Sequence, residues 1–316
     1  MKKLISIFTA ITLSLALISC GANIDSSTWV SDFNGAKKVA QDDNKKILLF
    51  FSEDEGDGIS AQLKESVFNT EDFLKAYTEK YVLVNIDLSK SRYENAQDNL
   101  KNDLILFERY NASGIPSFLI LSKEGYVITK LAFDSTTDLD SARITISEAE
   151  EQIRSFDEQL AKTENGSVEE RLAAINKIID EASPEYGHLL SPLCKLYLSL
   201  DKKNTSGECA KHLFAISYAN ATESFIKDEP EKAVKEYEAL SKNKFLDDSE
   251  KQMALYTAGY LLAQSGSTDY ERVKDYFQKA YDAAPDSEDA QNIKMAINMV
   301  QMRIDGEGDA APQEEK

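Results

Sequence analysis

The 316 residues suffice for two domains, each with an apolar core of its own. With 42% hydrophobic and 29% charged residues, the composition is that of a folded globular protein, not of a disordered or membrane-embedded chain. Acidic side chains outnumber basic ones 55 to 36, for a formal charge of -19. A surface that negative repels phosphate and anionic headgroups and excludes nucleic acid as a partner.

The first twenty residues stand apart. Lys2 and Lys3 precede an apolar stretch from Leu4 to Ile18 that is too short for a membrane span, so residues 1–19 read as an export signal. The stretch closes in Leu17-Ile18-Ser19-Cys20 before Gly21, which resembles the bacterial lipobox. That resemblance implies a diacylated Cys20 as the mature N-terminus, because several acyl chains hold a protein to a bilayer where one holds it only marginally. The membrane is then a partner through this lipid, on the periplasmic or outer side of a bacterial membrane. Residues 20–28, small and polar, form the tether.

Trp29, Phe33, Ala36 and Ala40 recur at helical spacing after the capping candidates Ser27 and Thr28. Ile47 to Phe51 is an unbroken apolar run suited to the centre of a sheet covered on both faces. An acidic loop, Glu53 to Gly58, leads to a helix with Leu63 and Val67 inward; Asn69-Thr70 punctuate it before Phe73, Leu74 and Tyr77. A second strand covers Tyr81 to Asp87, a helix follows at Leu100, Leu104 and Phe107, and Pro116 precedes a third strand, Ser117 to Leu121. Lys123-Glu124-Gly125 turns the chain into a fourth strand, Tyr126 to Leu131, and a last helix falls within Ser141 to Leu160. This order predicts a central mixed sheet flanked by helices over residues 29–162.

A polar break at Thr163 to Ser167 marks the boundary of a second, all-helical domain over 168–303, with a disordered tail at 304–316. Within it Gly259, Leu262, Val273, Phe277, Ala280 and Pro285 lie near the spacing of a tetratricopeptide unit, and Pro230, Ala233 and Tyr237 suggest a weaker neighbour. A helical repeat and an irregular bundle both remain open. The tyrosines and phenylalanines of this half fall at helical spacing and read as core.

From Trp29 to about Asp134 three blocks resemble the thioredoxin superfamily. They are Trp29–Ala40 with Lys46–Phe51, then Leu63 through Phe68 with Tyr81–Asp87, and Tyr110 with Gly114-Ile115-Pro116-Ser117-Phe118. The resemblance implies a thioredoxin-like α/β fold, a cis Ile115–Pro116 bond and a peptide groove built from Gly114, Ile115 and Pro116. It places the family's Cys-x-x-Cys on Asp57-Gly58-Ile59-Ser60. A carboxylate there can cap a helix but cannot attack a disulfide, and Ser60 has no activating base near it in sequence. The resemblance therefore implies a degenerate, redox-inactive active site.

Other chemistry is thinly represented. Glu53, Glu55, Asp57 and Gly58 approach the first, third, fifth and sixth positions of a calcium loop, but the twelfth is Lys64 where a glutamate is required. Cys194 and Cys209 are a possible disulfide or two free thiols. In a hairpin centred near Asn204, Cys194 would face the neighbourhood of Phe214 instead of Cys209. Cys209 lies in the first turn of a helix, where its thiol pKa would fall somewhat. His188 and His212, with these cysteines, are too scattered in direction to share a metal. No catalytic residue, metal or cofactor is expected. The expected function is protein or peptide binding, scaffolding or chaperone-like handling of exported proteins. Thiol-disulfide exchange through Cys194 and Cys209, or a purely structural lipoprotein, are the alternatives.

Overall fold

The computed structural model describes residues 27–53, 55, 58–91 and 99–306; the export signal, Cys20, Asp57 and the tail from 307 lie outside the described residues. The first unit runs α1 (Phe33–Asp42), β1 (Lys46–Ser52), α2 (Ile59–Leu63), α3 (Glu71–Tyr77) and β2 (Tyr81–Asp87). It continues with α4 (Asn99–Arg109), β3 (Ser117–Leu121), β4 (Val127–Leu131), α5 (Leu139–Glu148) and α6 (Glu150–Glu164). The sheet order is β2-β1-β3-β4, with β1 parallel to β2 and antiparallel to β3, and β3 antiparallel to β4.

Alternation along β1 builds two cores. Ile47, Leu49 and Phe51 pack with Val82, Val84 and Ile86 beneath α1 and α4. Leu48 and Phe50 face the other way, onto Leu63, Phe68, Phe73 and Phe118. The Phe50 and Phe118 rings stack at 4.1 Å. Each such wholly buried side chain contributes about 2 kcal/mol by leaving water, so a charge introduced into β1 would break the unit.

Two boundaries correct the expectation from sequence. The first helix begins at Phe33, not Trp29, and its cap is Asp32, whose carboxylate accepts from the Gly35 N–H at 3.0 Å. Val30 is held extended instead, donating to the Leu83 carbonyl at 2.9 Å and accepting from Asn85 at 2.8 Å. Trp29 donates through Nε1 to the Phe68 carbonyl at 3.0 Å and packs on Phe50, Phe68 and Phe73. The expected last helix is two, α5 and α6, meeting at Ala149; Asp138 and Ser141 close a capping box at the start of α5.

The helical region follows Gly166, whose φ of 128° suits glycine, and Ser167, which caps α7 (Val168–Glu181) with Glu170. A 3-10 stretch, Pro184–Leu190, passes directly into α8 (Ser191–Leu200), so Pro192 restarts a helix without kinking one. Then come α9 (Cys209–Ile226), α10 (Pro230–Leu240), α11 (Asp248–Gln264), α12 (Tyr270–Ala283) and α13 (Ala290–Ile304). Gly259 lies against Tyr276 and Phe277, and Gln252 donates to the carbonyls of Ala280 and Ala284, so α11 and α12 run antiparallel in close contact. A methyl at Gly259 would meet Phe277 Cε1 at 2.8 Å, which explains the glycine.

The two regions are joined by packing and charge. Tyr186 is buried in the α1–α4 core, and Tyr126 among Ile175, Leu193 and Tyr197. Arg109 grips Glu223 through two bonds of 3.1 and 2.7 Å, while its carbonyl accepts from His188 Nε2 at 2.7 Å. No helix among the described residues is long and apolar enough to cross a membrane.

Candidate functional site

The cis-proline end of the sheet is assembled by strand register. The Ile115–Pro116 bond is cis, as the resemblance implied, and Ser117 directly after it pairs with Phe51 near the end of β1. Two residues beyond Phe51, the Glu53 N–H donates to Ser60 Oγ at 3.2 Å, which ties the start of α2 to the same edge. Ser60 is buried, whereas Ile59 is 42% exposed and Ile115 37% exposed. Two large apolar side chains thus face water at the sheet end where the hydroxyl is held inside. Gly114 has open space where a side chain would sit.

Gly58 is the N-cap residue of α2 and supplies no side-chain cap; the capping role read for Asp57 falls outside the described residues. Ser60 accepts a backbone hydrogen bond from the Glu53 N–H, and no base is paired with it among the described residues. The acidic loop is pinned by Glu55, which accepts from the Ser91 N–H. The Ser91 hydroxyl, together with that bond, holds the Glu55 carboxyl below its usual range. Among the described residues no group of three or more acidic, histidine or cysteine side chains could hold a metal.

Cys194 and Cys209 are both free and buried in the helical region. Burial pushes the Cys194 thiol up to about 11. Cys209 contradicts the expected fall at a helix start: burial raises its pKa, and the Asp201 carboxylate adds to the rise. Its Sγ lies 3.4 Å from the Asp201 carbonyl, where a thiol donates and a thiolate would be repelled. Asp201 itself is held at about 2 by Ser206 and Thr205. His212 stacks on Tyr197 at 3.6 Å and donates through Nε2 to Asn176 Oδ1 at 2.9 Å. The two histidines and two cysteines are thus spread over separate contacts. The reading of the aromatics as core holds for Tyr186, Tyr197, Tyr237, Tyr276 and Phe277, which are buried, and needs correction at Tyr218, Phe225 and Tyr260, which are exposed.

With the sheet order, the cis proline and the flanking helices in place, the class is defined: a thioredoxin-like α/β domain followed by an all-helical region. Residues 33–132 match the thioredoxin-like domain family, and residues 209–306 match a family described as an uncharacterised protein C-terminal domain. The chain is similar to an uncharacterised protein of Treponema pallidum (strain Nichols), 25% identical over 289 residues, which cover 90% of this chain and 92% of that one. It is also 22% identical over 149 residues to thioredoxin-related protein DsbJ of Chlamydia pneumoniae, covering 46% of this chain and 42% of that protein. A solved DsbH oxidoreductase covers 45% of this chain and 94% of its own length, at 17% identity and a TM-score of 0.35.

Proposed function

We propose that this is a lipid-anchored protein of the bacterial cell envelope that binds polypeptide through its thioredoxin-like domain and performs no thiol chemistry there. Asp57-Gly58-Ile59-Ser60 is the thiol-free counterpart of the family's active site. The observation that carries the reading is the pairing of a buried Ser60 hydroxyl with exposed Ile59 and Ile115 at the cis-proline end of the sheet. Apolar side chains left in water beside a strand end suit an extended chain docking by backbone hydrogen bonds and side-chain burial. Cys20 supplies the anchor, and replacing it with serine should release the protein from membranes. The helical region serves as a scaffold for envelope partners.

The second reading is thiol-disulfide exchange through Cys194 and Cys209, the two thiols of the helical region. Their burial and raised pKa values count against it, because the thiolate is the attacking species.

A photo-crosslinking residue placed at Ile115 tests the proposal in cells. Exported polypeptides should be captured from Ile115 and lost on Ile59→Asp, with little capture from the exposed control position Met299. Equal capture from both positions, or capture indifferent to Ile59→Asp, would count against it.

A further inference from the structure

Where the two regions meet, a cleft of about 490 Å3 opens between the end of α4, the Pro184–Leu190 stretch, and α9, α10 and α11. Three of its wall rings face water: Tyr218 and Tyr260 are each 48% exposed and Phe225 38%. Among the described residues no lysine or arginine lines it, and its formally charged groups are the carboxylates of Glu108 and Glu185. Glu108 has no ion-pair partner among the described residues. Glu185 meets the Asn111 amide at 3.5 Å and the Tyr186 hydroxyl, neither of them a cation. The nearby Arg109 guanidinium is committed to Glu223. His188 also lines this wall, its Nε2 donating to the Arg109 carbonyl, while its Nδ1 is buried without a hydrogen-bond partner.

The cleft therefore offers π-faces and two carboxylates, with no fixed cation among the described residues to satisfy them. We propose that it binds an arginine or lysine side chain carried on a polypeptide partner, the cation resting on the Tyr218 and Tyr260 rings within reach of Glu108 and Glu185. Ring faces attract cations electrostatically, and hydrogen bonds to carboxylate are strongest from charged donors. Arginine is the better fit, because its planar guanidinium stacks on rings and carries five donors. A polypeptide suits the cleft better than a small free cation, since half-exposed rings need a covering segment to leave water. The chain's charge of -19 would also draw basic segments toward it. This site lies apart from the cis-proline end and does not depend on the groove proposed there.

Fluorescence anisotropy of the full chain with a labelled, capped peptide, Gly-Ser-Phe-Arg-Leu-Ser-Gly, tests the proposal. The arginine peptide should bind at least about tenfold more tightly than the same peptide with glutamine, and more weakly at high salt. The double variant Glu108→Gln, Glu185→Gln should weaken it about tenfold, Tyr260→Ala should weaken it too, and Met299→Asp, at an exposed position away from the cleft, should leave it unchanged. Thermal melting confirms that each variant is folded. Equal affinity for the two peptides, no binding, indifference to the glutamine pair, or loss with Met299→Asp would each overturn the site. Choline binding as tightly as the arginine peptide would reassign it to small ammonium ligands and overturn the polypeptide claim.

Discussion

His212 gives the helical region a calculable sensitivity to acid. The imidazole is wholly buried, stacked on Tyr197, with Nε2 bonded to Asn176 and Nδ1 unpartnered. Burial, aided by the Lys211 cation and opposed by Asp180, brings its pKa from 6.5 down to about 4. The folded state refuses a proton that the unfolded chain accepts. This histidine's contribution is therefore complete above the unfolded pKa and is lost as pH falls from about 6.5 toward 4. At about 1.4 kcal/mol per pH unit the loss reaches about 2 kcal/mol by pH 5 and about 3 kcal/mol by pH 4. Carboxylates titrate in the same window, so the comparison is between the parent and His212→Gln. Urea unfolding of both, followed by circular dichroism from about pH 7.5 to 4, should show the parent losing about 3 kcal/mol more than the variant. The variant starts lower because it loses the ring stack, and only the difference in slope counts. Parallel curves, or a His212 proton signal, assigned by its loss in His212→Gln, that titrates near 6.5 in the folded protein, would refute the reasoning.

The thiols should be inert in the native chain. A rise from 9.0 to about 11 lowers the Cys194 thiolate population about a hundredfold, so an aromatic disulfide reagent at neutral pH should label the Cys194 thiol of native Cys20→Ser, Cys209→Ser protein at least about a hundredfold more slowly than that of the urea-unfolded form. A native thiol reacting at the rate of a small-molecule thiol would contradict this. Gly259→Ala should destabilise the protein by about 1 kcal/mol although alanine is the better helix former, because overpacking outweighs the gain in propensity. A raised melting temperature would show that α11 and α12 are not in the contact described.

Sequence was most informative where one local pattern decided the outcome. β2 and β3 are legible to the residue, because apolar-rich runs bounded by polar, proline or turn residues leave little choice of boundary. The cis bond at Pro116 follows from a resemblance confined to a few residues, and Thr70 and Pro230 mark helix starts through their own chemistry. What escaped is non-local. Trp29 looks helical by its spacing from Phe33, but pairing of its neighbour Val30 with β2 holds the chain extended there. Cys209 occupies a first-turn position that would lower its pKa in isolation, yet burial and Asp201 reverse the sign. Tyr218 and Tyr260 sit at core-like helical spacing, and only the placement of α9 and α11 beside α4 leaves them facing a cleft. The Ile59 and Ile115 exposure likewise depends on two segments far apart in sequence meeting at one sheet end.

Reduction of insulin by the full chain, with dithiothreitol as electron source, tests the central claim most directly. The account predicts the uncatalysed rate for the parent and no further fall when Cys194 and Cys209 are both replaced by serine. Turnover well above that background, and abolished by those two replacements, would contradict it.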